Sequence, residues 1–166
     1  MTSTIYWIND DQLGEQRLGT MARPRGNDWL EDEIRGLKFK AVDYVVSLLE
    51  KSEEWELGIE REEELCAKWG IEFIRFPIQD VTTPKNADTF IALASKLAQQ
   101  ISQGKKMVIH CRMGIGRSSM LAAAIMIKLG CAAEDVFDTI RTYRKMEVPD
   151  TKEQKDWVLS IADQLK

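Results

Sequence analysis

Cys111 and Arg117, separated by five residues, stand in the stretch Val108-Ile109-His110-Cys111-Arg112-Met113-Gly114-Ile115-Gly116-Arg117-Ser118-Ser119. Two apolar β-formers lead in, two glycines loosen the middle, and an apolar run from Met120 to Leu129 follows. The pattern predicts a strand, a tight loop and a buried helix. Backbone N–H groups of Arg112, Met113, Gly114, Ile115, Gly116 and Arg117 then converge at the positive end of a helix dipole, where an oxyanion binds. A helix N-terminus with cations nearby also favours thiolate over thiol. Gly114 and Gly116 permit dihedrals that other residues resist and let a ligand approach the backbone. Arg117 offers a planar fork for two phosphoryl oxygens, whereas lysine would keep the charge and lose the fork. An anion cradle with a thiol at its floor points to attack on phosphorus.

Other residues complete that chemistry. His110 precedes Cys111 on a strand, so the two side chains should face opposite ways. His110 therefore reads as a support that fixes loop carbonyls rather than as a general base. The Ser118 hydroxyl suits a hydrogen bond to the sulfur, and its spacing suits a plain helix-start serine equally well. The leaving oxygen needs a proton. Asp80, between Pro77 and Pro84, can bring a carboxyl from a neighbouring loop, although turn aspartates are common. Arg17, Arg23 and Arg25 either face an anionic substrate or are solvated loop charges, and the second is the plainer reading.

These residues need elements to hold them. Ile5 to Ile8 reads as an edge strand, and Asn9 to Asn27 as an irregular loop with turn points at Gly14, Gly19 and Gly26. Asp28 is placed to cap a helix through Leu37, with Trp29, Leu30, Ile34 and Leu37 on one side. Val-rich Ala41 to Leu49 reads as a buried parallel strand. Glu50 to Glu64 holds eight glutamates and two basic residues, which reads as a solvated face. Ile59 to Trp69 is helical by pattern, with Leu65, Cys66 and Trp69 inward and Gly70 as its C-cap. Ile71 to Phe76 alternates as a strand. Asn86 to Ser102 is an amphipathic helix, and Lys106 to His110 is the central strand. Arg117 to Leu129 is a buried helix, Ala133 to Lys145 another, and Pro149-Asp150 breaks the chain. Thr151 with Gln154 makes a capping box for a last helix through Leu165. Strands alternating with helices predict one α/β domain over residues 1–166, with a mainly parallel central sheet and helices on both faces.

The composition excludes several classes. The chain has 166 residues, 44% hydrophobic and 30% charged, with net charge −4. That suits one soluble domain and argues against a bulk nucleic-acid binder. The N-terminal residues Met1 to Asp10 lack a signal-peptide pattern, and no run approaches the ~18 apolar residues of a membrane helix. Cys66, Cys111 and Cys131 cannot all pair and lack metal-ligand spacing. A reduced, cytoplasmic protein without metal or cofactor is expected. Cys66 and Cys131 read as buried core thiols, with Cys131 only a minor option as redox partner for Cys111. A monomer is the default.

His110-Cys111-x5-Arg117-Ser118 resembles the signature of the cysteine-dependent protein tyrosine phosphatase superfamily. Pro77-Ile78-Gln79-Asp80-x3-Pro84 resembles the general-acid loop of its small dual-specificity branch. The Gly-, Pro- and Arg-rich segment near the start, the Val-rich strand and Thr151-x-x-Gln154 are similar to kinase-associated phosphatase-like proteins. The resemblance implies a protein tyrosine phosphatase-like fold and a two-step, metal-free reaction. In it Cys111 attacks phosphorus, Asp80 protonates the leaving oxygen and later activates water, Ser118 helps the thiolate leave, and Gln154 positions the water. It also implies a phosphorylated protein or peptide substrate. A chain this short implies a shallow pocket that admits phosphoserine and phosphothreonine beside phosphotyrosine. Lipid phosphatases of the superfamily tend to carry lysines in the loop, where this chain has Arg112, Met113 and Ile115. A phosphoinositide is the alternative substrate, and a non-catalytic phospho-binding module or a sulfur- or arsenate-handling thiol enzyme are the other readings.

Overall fold

The computed structural model describes residues 3–166; Met1 and Thr2, part of the N-terminal stretch read above, lie outside the described residues. In chain order the elements are β1 (Tyr6–Asp10), β2 (Gly14–Met21), a 3-10 turn (Asn27–Trp29), α1 (Leu30–Phe39), β3 (Tyr44–Ser47), α2 (Lys51–Glu56), α3 (Glu62–Lys68) and β4 (Glu72–Arg75). Then follow α4 (Ala87–Ser102), β5 (Met107–His110), α5 (Arg117–Lys128), α6 (Val136–Arg144), α7 (Lys152–Ser160) and a closing 3-10 turn (Ala162–Leu165).

The five strands run in the order β1-β2-β5-β3-β4. All pairings are parallel except β1 with β2. Alternation along each inner strand splits the core. Met107, Ile109 and Val46 face α4, α5, α6 and α7. Val108, Val45 and Met21 face α1 and α3. Helices thus cover both faces, as the alternation of elements predicts. Because β2, β3, β4 and β5 are mutually parallel, the loops after Met21, Ser47, Arg75 and His110 emerge at one sheet edge, the usual ligand edge of an open α/β sheet.

Several boundaries differ from the sequence expectation. The middle of the predicted loop from Asn9 to Asn27 is β2, an inner strand whose last four residues are buried. Its arginine and glycines hide that role, because β1 and β5 supply the cover on either side. Gly19 is no turn point. It pairs with Trp7, and a Cβ there would lie 2.6 Å from Ile5 Cγ2 and 2.9 Å from Trp7 Cε3. Helix α1 begins at Leu30 with Trp29 at its N-cap and no side-chain cap bond, so Asp28 does not cap it. Trp29 stays exposed beneath the Arg25 guanidinium. Of Ala41 to Leu49 only Tyr44–Ser47 pairs in the sheet. Gly58, at φ 71°, separates α2 from α3, which delays the start of the helix expected from Ile59 to Glu62. Lys145 ends α6 in a left-handed conformation, and the last helix stops at Ser160 before a 3-10 turn.

Candidate active site

Cys111 leaves the end of β5 and is 3% exposed. Its Sγ lies 3.4 Å from the Ser118 hydroxyl in the first turn of α5. Two glycines shape the intervening loop. Gly114 has φ 72°, and a Cβ there would press on the Met21 carbonyl carbon at 2.6 Å, so both its conformation and its space require glycine.

The loop carbonyls are tied outward. The Arg112 carbonyl accepts from the Arg23 backbone N–H at 3.3 Å and from Arg23 Nη1 at 3.4 Å. The Met113 and Gly114 carbonyls accept from Arg144 Nη2 at 3.0 Å and Nε at 3.1 Å. In a trans peptide the C=O and the following N–H point opposite ways. Anchoring three consecutive carbonyls therefore turns the N–H groups of Met113, Gly114 and Ile115 to the other side. Arg144, near the end of α6, stacks on Tyr6 of β1 at 4.1 Å, which holds its guanidinium in place. Of the three N-terminal arginines only Arg23 reaches the loop. Arg17 donates to the Gly104 carbonyl, and Arg25 pairs with Glu33.

Arg117 is 1% exposed and held from several sides. Nη1 donates to Glu53 Oε1 at 2.7 Å and to the Ile78 carbonyl at 2.9 Å. Nη2 donates to Glu53 Oε2 at 3.0 Å and sits 3.1 Å from Asp80 Oδ1. Its buried Nε has no hydrogen-bond partner. A buried N–H donor without an acceptor is costly, and an oxyanion beside the loop would satisfy it. Burial would push Glu53 up, but its hydrogen bonds with Arg117 and the Glu50 N–H outweigh that and hold it below the usual carboxylate range.

His110 is fully buried. Its Nε2 is 2.6 Å from Glu62 Oε2, and its Nδ1 is 3.3 Å from the Cys111 carbonyl. Burial pulls the imidazole down, yet the Glu62 charge and hydrogen bond overcome it and raise it above its ordinary value. The side chain thus points away from the cradle, toward α3.

The stretch Glu50 to Glu64 is therefore not simply a solvated face. Glu53, Glu54 and Glu62 are buried, paired with Arg117, Arg75 and His110. A buried cation needs a buried anion, and the glutamates that turn inward supply it. Glu56, Glu60, Glu63 and Glu64 stay exposed. Arg112 is likewise occupied, with Nη2 2.7 Å from Glu56 and Nε 3.4 Å from Glu53. Met113 is exposed and Ile115 half-buried.

Asp80 sits on the loop after β4, half-exposed, with Oδ1 accepting from the Val81 N–H at 3.0 Å. Val81 has φ 54°, an unusual conformation for a β-branched residue. Gln154 braces this loop. It is buried, its Nε2 donates to the Thr82 carbonyl at 3.1 Å, and its Oε1 accepts from the Thr151 N–H at 3.2 Å. Both ends of the Gln154 amide thus have protein partners. Asp150, expected only to break the chain, lies beside the cradle. Partial burial and the charge of Asp80 push its carboxyl up, against the pull of Arg117.

The other thiols are set apart. Cys66 is buried in the core, and burial pushes it up. Cys131 is only half-buried, not a core thiol, because it follows the exposed Gly130 at the end of α5. Its Sγ lies 3.4 Å from Asp10 Oδ1, and burial together with Asp10 pushes it up to about 12.

The profile of a family described as "Polymorphic toxin system, DSP-PTPase phosphatase" matches residues 19–131. A putative tyrosine phosphatase 067L of Invertebrate iridescent virus 3 is 26% identical over 135 residues, covering 78% of this chain and 53% of that protein. Cyclin-dependent kinase inhibitor 3 of Rattus norvegicus is 27% identical over 104 residues, covering 61% of this chain and 49% of that protein. The chain thus spans about half the length of these relatives. A crystal structure of kinase associated phosphatase with its catalytic cysteine changed to serine superposes with TM-score 0.88 at 20% identity, covering 99% and 97% of the two chains, and shows a shared fold. With the cysteine, arginine and aspartate loops all inside the matched segment, the chain belongs to the DSP-PTPase phosphatase family.

Proposed function

We propose that this chain hydrolyses phosphate monoesters of proteins, phosphotyrosine and also phosphoserine and phosphothreonine, through a phosphocysteine. The observation that carries the reading is Arg117: a buried guanidinium, clamped by Glu53 and two backbone carbonyls, with an unpartnered Nε within the loop that begins at Cys111. Cys111 Sγ attacks phosphorus. The P–O bond to the leaving group breaks, and Asp80 gives that oxygen its proton. Arg117 and the loop N–H groups hold the phosphoryl oxygens as charge spreads over them. Water then cleaves the P–S bond, and the Ser118 hydroxyl, 3.4 Å from the sulfur, donates to the departing thiolate. The pairing of Arg112 with Glu53 and Glu56 leaves the loop poor in free cations, which favours a phosphoprotein over a polyanionic phosphoinositide.

The test is turnover of an aryl phosphate and of phosphopeptides. Cys111→Ser should abolish hydrolysis while phosphate still binds, and unchanged turnover would reject the proposal. Asp80→Ala should slow esters with poor leaving groups far more than those with good ones; equal slowing would remove Asp80 from its role.

A further inference from the structure

We propose that Glu62 is a positioning residue for the reaction: its carboxylate keeps a proton on both ring nitrogens of His110, and the imidazolium so held ties the Cys111 carbonyl outward and favours the Cys111 thiolate. This role rests on the hydrolysis proposed above, since it concerns the thiol that attacks.

One ring faces two acceptors. His110 Nε2 is 2.6 Å from Glu62 Oε2, and Nδ1 is 3.3 Å from the Cys111 carbonyl oxygen. A carbonyl and an ionised carboxylate accept hydrogen bonds and donate none. A neutral imidazole has one N–H and serves only one of them, whereas the imidazolium serves both. With Nδ1–H on the Cys111 carbonyl, the Arg112 N–H turns to the other side of the chain. Arg23 and Arg144 tie the next three carbonyls in the same way. Cationic donors thus hold four consecutive carbonyls, and His110 is the donor whose charge is lost most readily.

Burial alone favours the neutral imidazole, and of the groups around His110 only Glu62 opposes it by contact. Glu54 of α2 acts through its charge and is already paired with Arg75, which also reaches Glu63. Glu33 of α1 pairs with Arg25. Burial and Glu62 itself hold Cys66 of α3 as the neutral thiol. The strand neighbours of His110 are Met21 and Ser47, both uncharged. Stability explains the carboxylate poorly. Its Oε1 is buried without a partner, and a buried ion pair often stabilises no more than apolar residues of the same volume. The pair is also oriented. Nδ1 faces Cys111 and Nε2 faces Glu62, so the positive end is nearer the thiol and its charge prevails there. Removing Glu62 therefore costs the thiolate more, through the lost imidazolium, than it gains through the lost carboxylate.

His110 is the single histidine of the chain, so nitrogen NMR of the isotope-labelled imidazole reads its protons without overlap. In the unaltered chain at about pH 7 both ring nitrogens should carry protons; in Glu62→Gln one should lose its proton. The thiol is followed in parallel by the pH dependence of Cys111 alkylation with iodoacetamide. Glu62→Gln should move the titration midpoint up by about one pH unit. Alkylation below the midpoint should then slow about tenfold, with the alkaline plateau within about twofold of the unaltered chain. A merely structural loss would lower the plateau or the Tm without moving the midpoint. Glu62→Asp, which keeps the carboxylate, should recover part of the shift. A neutral imidazole in the unaltered chain, or an unmoved midpoint in Glu62→Gln, would overturn the assignment. The first of these needs no variant and so holds even where Glu62→Gln fails to fold. Neither readout depends on turnover. A shifted midpoint in a chain that hydrolyses no phosphate ester would reject the proposed hydrolysis alone, and turnover with an unmoved midpoint would reject the role of Glu62 alone.

Discussion

Helix α5 has a cysteine beside each end, and the two surroundings are opposite. At its N-terminal end Cys111 sits with Arg117, a hydroxyl donor in Ser118 and the positive end of the helix dipole. At its C-terminal end Cys131 meets Asp10, in a cleft also lined by Asp11, Asp135 and Asp138. Cys111 is 3% exposed and Cys131 half-exposed, so access alone would make Cys131 the reactive thiol. Charge says otherwise. Cations and N–H dipoles stabilise a thiolate, and carboxylates oppose it. On the proposed function the first setting suits a thiol that attacks, whereas the second pushes Cys131 up to about 12.

The largest effect is expected at Arg117. Arg117→Lys keeps the charge and loses the fork, so kcat/KM should fall about 10²- to 10³-fold, measured with an aryl phosphate; a loss below about tenfold would show that charge alone suffices. Next is its clamp. Glu53→Gln removes the anion against a buried guanidinium and should destabilise the fold by about 3 kcal/mol, read by denaturant unfolding, with kcat/KM falling as Arg117 loosens. The clamp also carries a pH signature: Glu53 titrates low in the folded chain, so its stabilisation is present above the unfolded carboxylate value and is lost as pH falls through the folded one.

The His110–Glu62 pair carries the reverse signature. His110 is raised in the folded chain. Its contribution is therefore fully present below the unfolded value of about 6.5 and fades as pH rises through the folded one. Glu62→Gln should lower Tm more at about pH 6 than at about pH 9; a pH-independent loss would mean the pair is neutral. The smallest effect belongs to the silent thiol. Asp10→Asn removes the carboxylate 3.4 Å from Cys131 and should quicken its alkylation by up to about tenfold without changing turnover.

The cradle was legible because its parts are contiguous. Cys111, Gly114, Gly116, Arg117 and Ser118 lie within one short run, and strand–loop–helix follows from that run alone. Its supports were not. Glu62 is 48 residues from His110 and Glu53 is 64 from Arg117, so nothing local separates these from the solvated glutamates beside them. A hint was available: a buried Arg117 and His110 each demand an anion. Strand β2 was hidden for a similar reason. Leu18-Gly19-Thr20-Met21 is buried by neighbours on both sides, and Gly19 is needed for Ile5 and Trp7, not for a turn. The capping pattern marks Gln154, but it gives no sign that the other hydrogen bond of that side chain goes to Thr82.

The most direct test labels the unaltered chain with iodoacetate near pH 7 and follows each cysteine by mass spectrometry, with and without inorganic phosphate. Cys111 should carboxymethylate at least about a hundredfold faster than the more exposed Cys131, and phosphate should protect Cys111 alone. Comparable rates at the two ends of α5, or no protection by phosphate, would contradict it.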